Sequence, residues 1–119
     1  ALRSGAAVDR ALANNRFHEI TGEMAGNIYL RPSFQRLLVD HARIGITFFR
    51  PQSAEMVRNL DLAVQQHDEI IAAIAAQDED RAGQLAEAHW TLSRGEIELF
   101  VMPGKLDLPL GAAPRPTTA

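Results

Sequence analysis

The spacing of the apolar residues constrains this chain most. In one stretch Leu60, Val64, His67, Ile71 and Ile74 recur at intervals of three and four, and in another Ala82, Leu85, Ala86, His89, Leu92 and Ser93 do the same. That period follows the 3.6-residue turn of an α-helix and places each set along one face. A third stretch offers Phe34, Leu37, Leu38, His41, Gly45 and Phe48 as an inner face, with Arg36, Asp40, Arg43, Thr47 and Arg50 opposite, as a solvated face. Near the start Val8, Leu12, Phe17, Ile20 and Met24 form the apolar set, while Asn14 and His18 share a neighbouring polar strip. No stretch alternates as a half-buried strand does, so the chain reads as all-α.

Helix-ending residues divide the chain into four helices. The first runs from about Ala6 to Ala25 and stops at Gly26-Asn27. The second starts after Asn27, which can cap it, carries Pro32 in its opening turns and ends near Phe49. Arg50-Pro51-Gln52-Ser53 is a break; the third helix starts between Ala54 and Asn59 and ends near Gln77. Asp78 has the character of an N-cap, with Glu79 and Asp80 favourably placed in the first turn of the fourth helix. That helix runs to about Val101 and ends at Met102-Pro103-Gly104. Residues 105–119 hold three more prolines and read as a flexible tail.

Composition removes several function classes. The 119 residues suffice for one domain, and 46% of them are hydrophobic, so a core can form. The net charge is −3, Lys105 is the only lysine, and the arginines are scattered. A phosphate backbone calls for clustered positive charge, so the chain offers no nucleic-acid surface of its own. It has no cysteine, which excludes disulfides and thiolate metal sites. No apolar run approaches the ~18 residues of a membrane span, and the start lacks the apolar segment of a signal peptide. The expected location is the cytoplasm, with no membrane partner.

The chemistry lies in the histidines. His18, His67 and His89 stand on three different helices, the last two within apolar stripes. Turning an imidazole inward is costly unless something in the interior binds it. One such ring is commonly a hydrogen-bonded core residue; three directed at one interior point to a metal ion. Asn14 precedes His18 by four residues, a spacing that stacks the two side chains and allows both to reach one ion. Asn15, at a spacing of three, is the competing oxygen donor. Three imidazoles and an amide oxygen suit zinc, nickel or a similar first-row divalent ion. His41 also faces inward but has no chelating partner one turn away, which makes it a pocket-lining or packing residue. The chain carries no H-E-x-x-H, no E-x-x-H pair, no glycine-rich phosphate loop, and no serine beside a plausible base.

These residues resemble a known pattern. Asn14-x-x-x-His18 with Phe17 before the histidine, then Ala25-Gly26-Asn27-Ile28-Tyr29-Leu30, is similar to the FCD effector-binding domain of GntR-type bacterial transcription regulators, the FadR subfamily. The second half fits too: His67-x-x-Ile70-x-x-Ala73-Ile74, then Asp78, Ala82 and His89. The resemblance covers about residues 5–100. It implies an antiparallel helical bundle with a central pocket, holding a divalent metal bound by Asn14, His18, His67 and His89. It also implies a small carboxylate effector beside or on the metal, with His41 as a candidate contact, and a homodimer. DNA would be met only through a winged helix-turn-helix domain that is not in this chain. Family members also carry bundle helices ahead of this region, so residues 1–104 are expected to form a partial FCD domain. Asn14 stands where Asp is common in the family.

Three functions are open on these grounds. The favoured one is a non-enzymatic sensory domain for a small organic acid. The second is a metal-dependent enzyme, for which Glu96, seven residues past His89, is the nearest general base. The third is a metal-free helical oligomerisation domain.

Overall fold

The computed structural model describes residues 6–101. They form four helices: α1 (Ala7–Met24), α2 (Arg31–Phe48), α3 (Ala54–Ala75) and α4 (Glu79–Val101). The helices pack in antiparallel pairs, α1 with α2 and α3 with α4, and no strand occurs among the described residues. The expected stop at Met102-Pro103-Gly104 and the tail 105–119 lie outside the described residues.

Each turn has a local chemical cause. At the end of α1, Gly26 takes φ 63°, a left-handed conformation that costs glycine nothing. Asn27 then accepts hydrogen bonds at Oδ1 from the amides of Tyr29 (3.0 Å) and Leu30 (3.1 Å). Asn27 thus caps a single turn, and α2 proper begins later, at Arg31, with Pro32 in its first turn. Ser53 accepts from the Met56 amide at 3.1 Å and starts α3 at the earliest expected position. Asp78 accepts from the Arg81 amide at 3.0 Å, the cap its sequence position promises.

The turn from α3 to α4 is a Schellman closure. The Asp78 amide donates to the Ala73 carbonyl at 2.9 Å and the Gln77 amide to that of Ile74 at 3.0 Å. Gln77 takes the left-handed conformation that this closure demands, at φ 57°. α3 therefore ends two residues before the expected Gln77.

Two apolar clusters flank a polar layer. Ala11, Phe49 and Leu60 form one, with Ala7, Ile46 and Phe48 packed against it. Ile70, Ala73 and Leu85 form the other, joined by Phe17, Ile74 and Ala82. Along α3 the first cluster lies at Leu60 and the second at 70–74, with His67 between them. Between α1 and α2 the contact is very close: a Cβ on Gly22 would lie 2.1 Å from Cε1 of Phe34. Only a residue without a side chain admits that ring.

Stripe assignments on all four helices need correction. Ile71, expected inside, is 53% exposed, and Gln66, Ile70 and Ala73 are buried instead. On α1 the buried residue is Ala11; Val8, Leu12, Ile20 and Met24 lie outside. Leu37 on α2 and Ala86 on α4 are exposed as well. The faces read as solvated are so: Arg36, Asp40, Arg43, Thr47 and Arg50 are all exposed.

Candidate metal centre

α1, α3 and α4 each deliver one histidine to a shared interior point. His18, His67 and His89 can each offer a ring nitrogen such that the three atoms lie within 4.8 Å of one another. His67 and His89 are buried and His18 is partly so. The His67 and His89 Nε2 atoms are 3.0 Å apart. Phe17 stacks on the His67 ring, centroids 3.9 Å apart and planes 17° from parallel, and fixes its orientation. The His18 ring lies 5.3 Å from that of His67 and 5.5 Å from that of His89.

The hydrogen bonds determine which nitrogens are free. His89 Nδ1 lies 2.9 Å from Gln66 Oε1. An amide oxygen only accepts, so His89 Nδ1 carries the proton and Nε2 presents a lone pair. This is the arrangement by which an outer partner orients a metal-binding imidazole. His67 Nδ1 is buried and has no hydrogen-bond partner among the described residues. An orphaned buried polar atom is uncommon and costs about 1–3 kcal/mol, and such atoms gather at functional sites.

Burial keeps these rings uncharged. Desolvation is the largest cause lowering His18, to about 3, and nearby His41, His67 and His89 push in the same direction. His67 is lowered to about 4, again first by burial and then by His89. His89 and His41 are lowered too, chiefly by burial. Neutral imidazole is the form that binds a metal.

The donor set fits a divalent cation. At metal–nitrogen distances of about 2.0–2.1 Å, ligand nitrogens sit roughly 3.0–3.4 Å apart, which His67 and His89 already satisfy. The three-atom cluster needs an inward movement of at most roughly 1.5 Å to share one ion.

The other candidates fall into place around this cluster. Asn15 Oδ1 lies 3.4 Å from His41 Nδ1 and so is turned towards α2. Asn14 stands one turn before His18 on the same helix. His41 adjoins His18, ring centroids 4.7 Å apart, and lies outside the three-nitrogen cluster. Glu96 is buried, and its carboxylate accepts a hydrogen bond from Asn59 Nδ2.

A cavity of about 490 Å³ opens beside the histidines. His18, His41 and His89 contribute to its wall; Phe34, Leu38, Ile70, Ile74 and Trp90 supply much of the rest. This volume lies in the range of small-molecule sites.

One residue escaped the sequence reading, and so did the role of another. Gln66 was not singled out, although it forms an i, i+4, i+7 line with Ile70 and Ala73 that marks a second buried strip on α3. Phe17 is more than a core residue, since its ring is the platform for His67.

A helical bundle with a buried polar cluster beside an apolar cavity is the layout of a small-molecule-binding domain. The chain belongs to the FCD domain family, which it matches over residues 1–92. FCD domains are the effector-binding domains of GntR/FadR-type regulators, typically regulatory and not enzymatic. No curated protein and no solved structure matches the chain significantly. No helix among the described residues is long and apolar enough to cross a membrane.

Proposed function

We propose that this chain is the ligand-sensing part of a cytoplasmic GntR/FadR-type transcription regulator. It holds a divalent ion, zinc or nickel, and takes a small organic acid in the adjoining cavity. The observation that carries this reading is the convergence of three imidazoles from three helices, two of which, His18 and His89, also line the cavity. Asn14 is the proposed fourth ligand, four residues before His18, while Asn15 is engaged towards His41. His41 lines the cavity and is the proposed effector contact.

With neutral ligands throughout, the site keeps the full positive charge of the ion, and that charge attracts an anionic effector. An acid that favours one arrangement of the helices shifts the population of the regulator by its difference in affinity. The output passes to a winged helix-turn-helix domain and is read by a homodimer. Residues 1–104 form the sensing unit in this reading, and 105–119 a tail.

An enzymatic reading is less well supported. Glu96 is held by Asn59 and lies two turns beyond His89, about 10 Å along the helix axis.

Elemental analysis of untagged protein tests the reading: about one divalent ion per chain is expected. A thermal-shift panel of organic acids, with turnover assayed in parallel, then finds an acid that stabilises and is not consumed. At about 100 times its dissociation constant, such an acid adds about 2.7 kcal/mol. Protein that takes up neither zinc nor nickel refutes the proposal.

A further inference from the structure

One buried amide stands out in the seam between α3 and α4. Gln66 is 9% exposed and shares its strip of α3 with Ile70 and Ala73, both buried. A polar group in such a place is costly unless it is bonded. Its Oε1 lies 2.9 Å from His89 Nδ1, reaching from α3 to α4. Gln66 and His67 are consecutive, so one step of α3 delivers one imidazole and grips another. Stability alone does not call for the Gln66–His89 pair, since two apolar side chains of the same shape serve about as well. The pair does fix orientation. A neutral imidazole carries its one proton on either nitrogen, and the bond made at one decides what the other offers. A histidine side chain free in water favours the proton on Nε2, the atom that faces His67 here.

We infer that Gln66 is a positioning residue that sets the strength of the metal centre: acting through His89, it keeps that ring's proton on Nδ1, and as a neutral acceptor it holds the ion less tightly than a carboxylate would. This rests on the reading that His18, His67 and His89 hold a cation. The acceptor behind an imidazole governs how good a ligand the ring is. A carboxylate at position 66 would draw harder on the Nδ1 proton and place a negative charge behind the ring. An alkyl group would do neither.

The test compares the full chain with Gln66→Leu and Gln66→Glu, each titrated with zinc against a chelator at mildly alkaline pH. Zinc affinity is expected to fall by about 10–100-fold in Gln66→Leu. It is expected to rise severalfold above the parent in Gln66→Glu. That order follows acceptor strength. A residue that only fills the seam would give a weaker site with Glu, because an unpaired buried charge disrupts its surroundings. In parallel, nitrogen NMR shifts of the zinc-free protein report where each ring carries its proton. His89 is expected to hold it on Nδ1 in the parent and on Nε2 in Gln66→Leu. Circular dichroism shows whether each variant is folded; should Gln66→Leu fail to fold, Gln66→Met takes its place, and the parent spectrum decides independently. If zinc binds and the alkyl variant matches the parent, the inference is overturned while the metal reading stands. The same holds if Gln66→Glu binds more weakly than the parent, or if the parent's His89 carries its proton on Nε2. If the parent takes up no zinc, the metal reading fails and the inference falls with it.

Discussion

The α3/α4 hairpin and the α1/α2 hairpin are built to different standards. α3 buries six residues, Leu60, Val64, Gln66, His67, Ile70 and Ala73. Both of its helices start on side-chain caps, Ser53 and Asp78, and its turn is closed by two backbone hydrogen bonds. α1 buries Ala11 alone, and its N-cap position is Ala6, with no side chain to accept a hydrogen bond. Much of the apolar surface of α1 faces outwards. The candidate site straddles the two. His67, His89 and Gln66 are set in the firm hairpin; His18 and Asn14 ride on the lightly anchored one. The lesson is that one half of the site is preorganised and the other half can move towards it.

The largest expected effect separates the two halves. His67→Ala should abolish zinc uptake and the acid response together, as read by elemental analysis and thermal shift. His18→Ala should leave a residual site on His67 and His89, weakened by about 10²-fold or more yet measurable by calorimetry. Equal loss in both variants would remove the distinction between the hairpins.

Gly22→Ala attacks the lightly anchored half alone. The new methyl cannot share space with the Phe34 ring, so the ring must leave the α1/α2 seam. A loss of about 1–3 kcal/mol in urea unfolding is expected. Zinc affinity should fall with it, because His18 lies one turn from Gly22 on α1.

The pH dependence of the metal-free protein comes next. Folded-state values of about 3 for His18 and about 4 for His67 lie below their ordinary 6.5. Between those limits the unfolded chain binds more protons than the folded one, so acid favours unfolding. The contribution of these rings is complete above about pH 6.5 and is lost as pH falls towards 4 and then 3. The melting temperature should decline over that window, and the paired variant His18→Gln/His67→Gln should flatten the decline.

The smallest effect sharpens the firm half. Gln77 occupies a left-handed position that glycine fills without strain. Gln77→Gly should therefore stabilise the chain by about 0.5–1 kcal/mol in chemical unfolding, with zinc affinity unchanged.

Most of the architecture was legible in the sequence because turns obey local rules. Gly26, Asn27, Ser53 and Asp78 each act within three residues of where they stand, and the end of α1 and the starts of α3 and α4 follow from them. The histidine convergence was legible because His67 and His89 interrupt otherwise apolar stripes. Burial was less legible where a helix has more than one neighbour. α3 packs on α4 and also meets Phe17 of α1, so its buried surface spans two adjacent strips and takes in Gln66, Ile70 and Ala73 in place of Ile71. A single stripe drawn through the sequence cannot show that. The exposure of Leu12 and Met24 was hidden for a related reason, since apolarity alone does not say which side of α1 is covered. The choice of Asn14 over Asn15 turned on a resemblance; the approach of Asn15 to His41 depends on a helix pairing that spacing within α1 does not encode.

The bond from His89 Nδ1 to Gln66 has a calorimetric consequence. Rings that are already neutral near pH 7 have no proton to surrender to the solvent when they take up an ion. The hydrogen between the His67 and His89 Nε2 atoms belongs to His67 and can shift to that ring's Nδ1, which has no partner among the described residues, leaving Nε2 free for the ion. The heat of ion uptake at neutral pH should then be the same in PIPES and in HEPES, weakly coordinating buffers that differ in ionisation enthalpy.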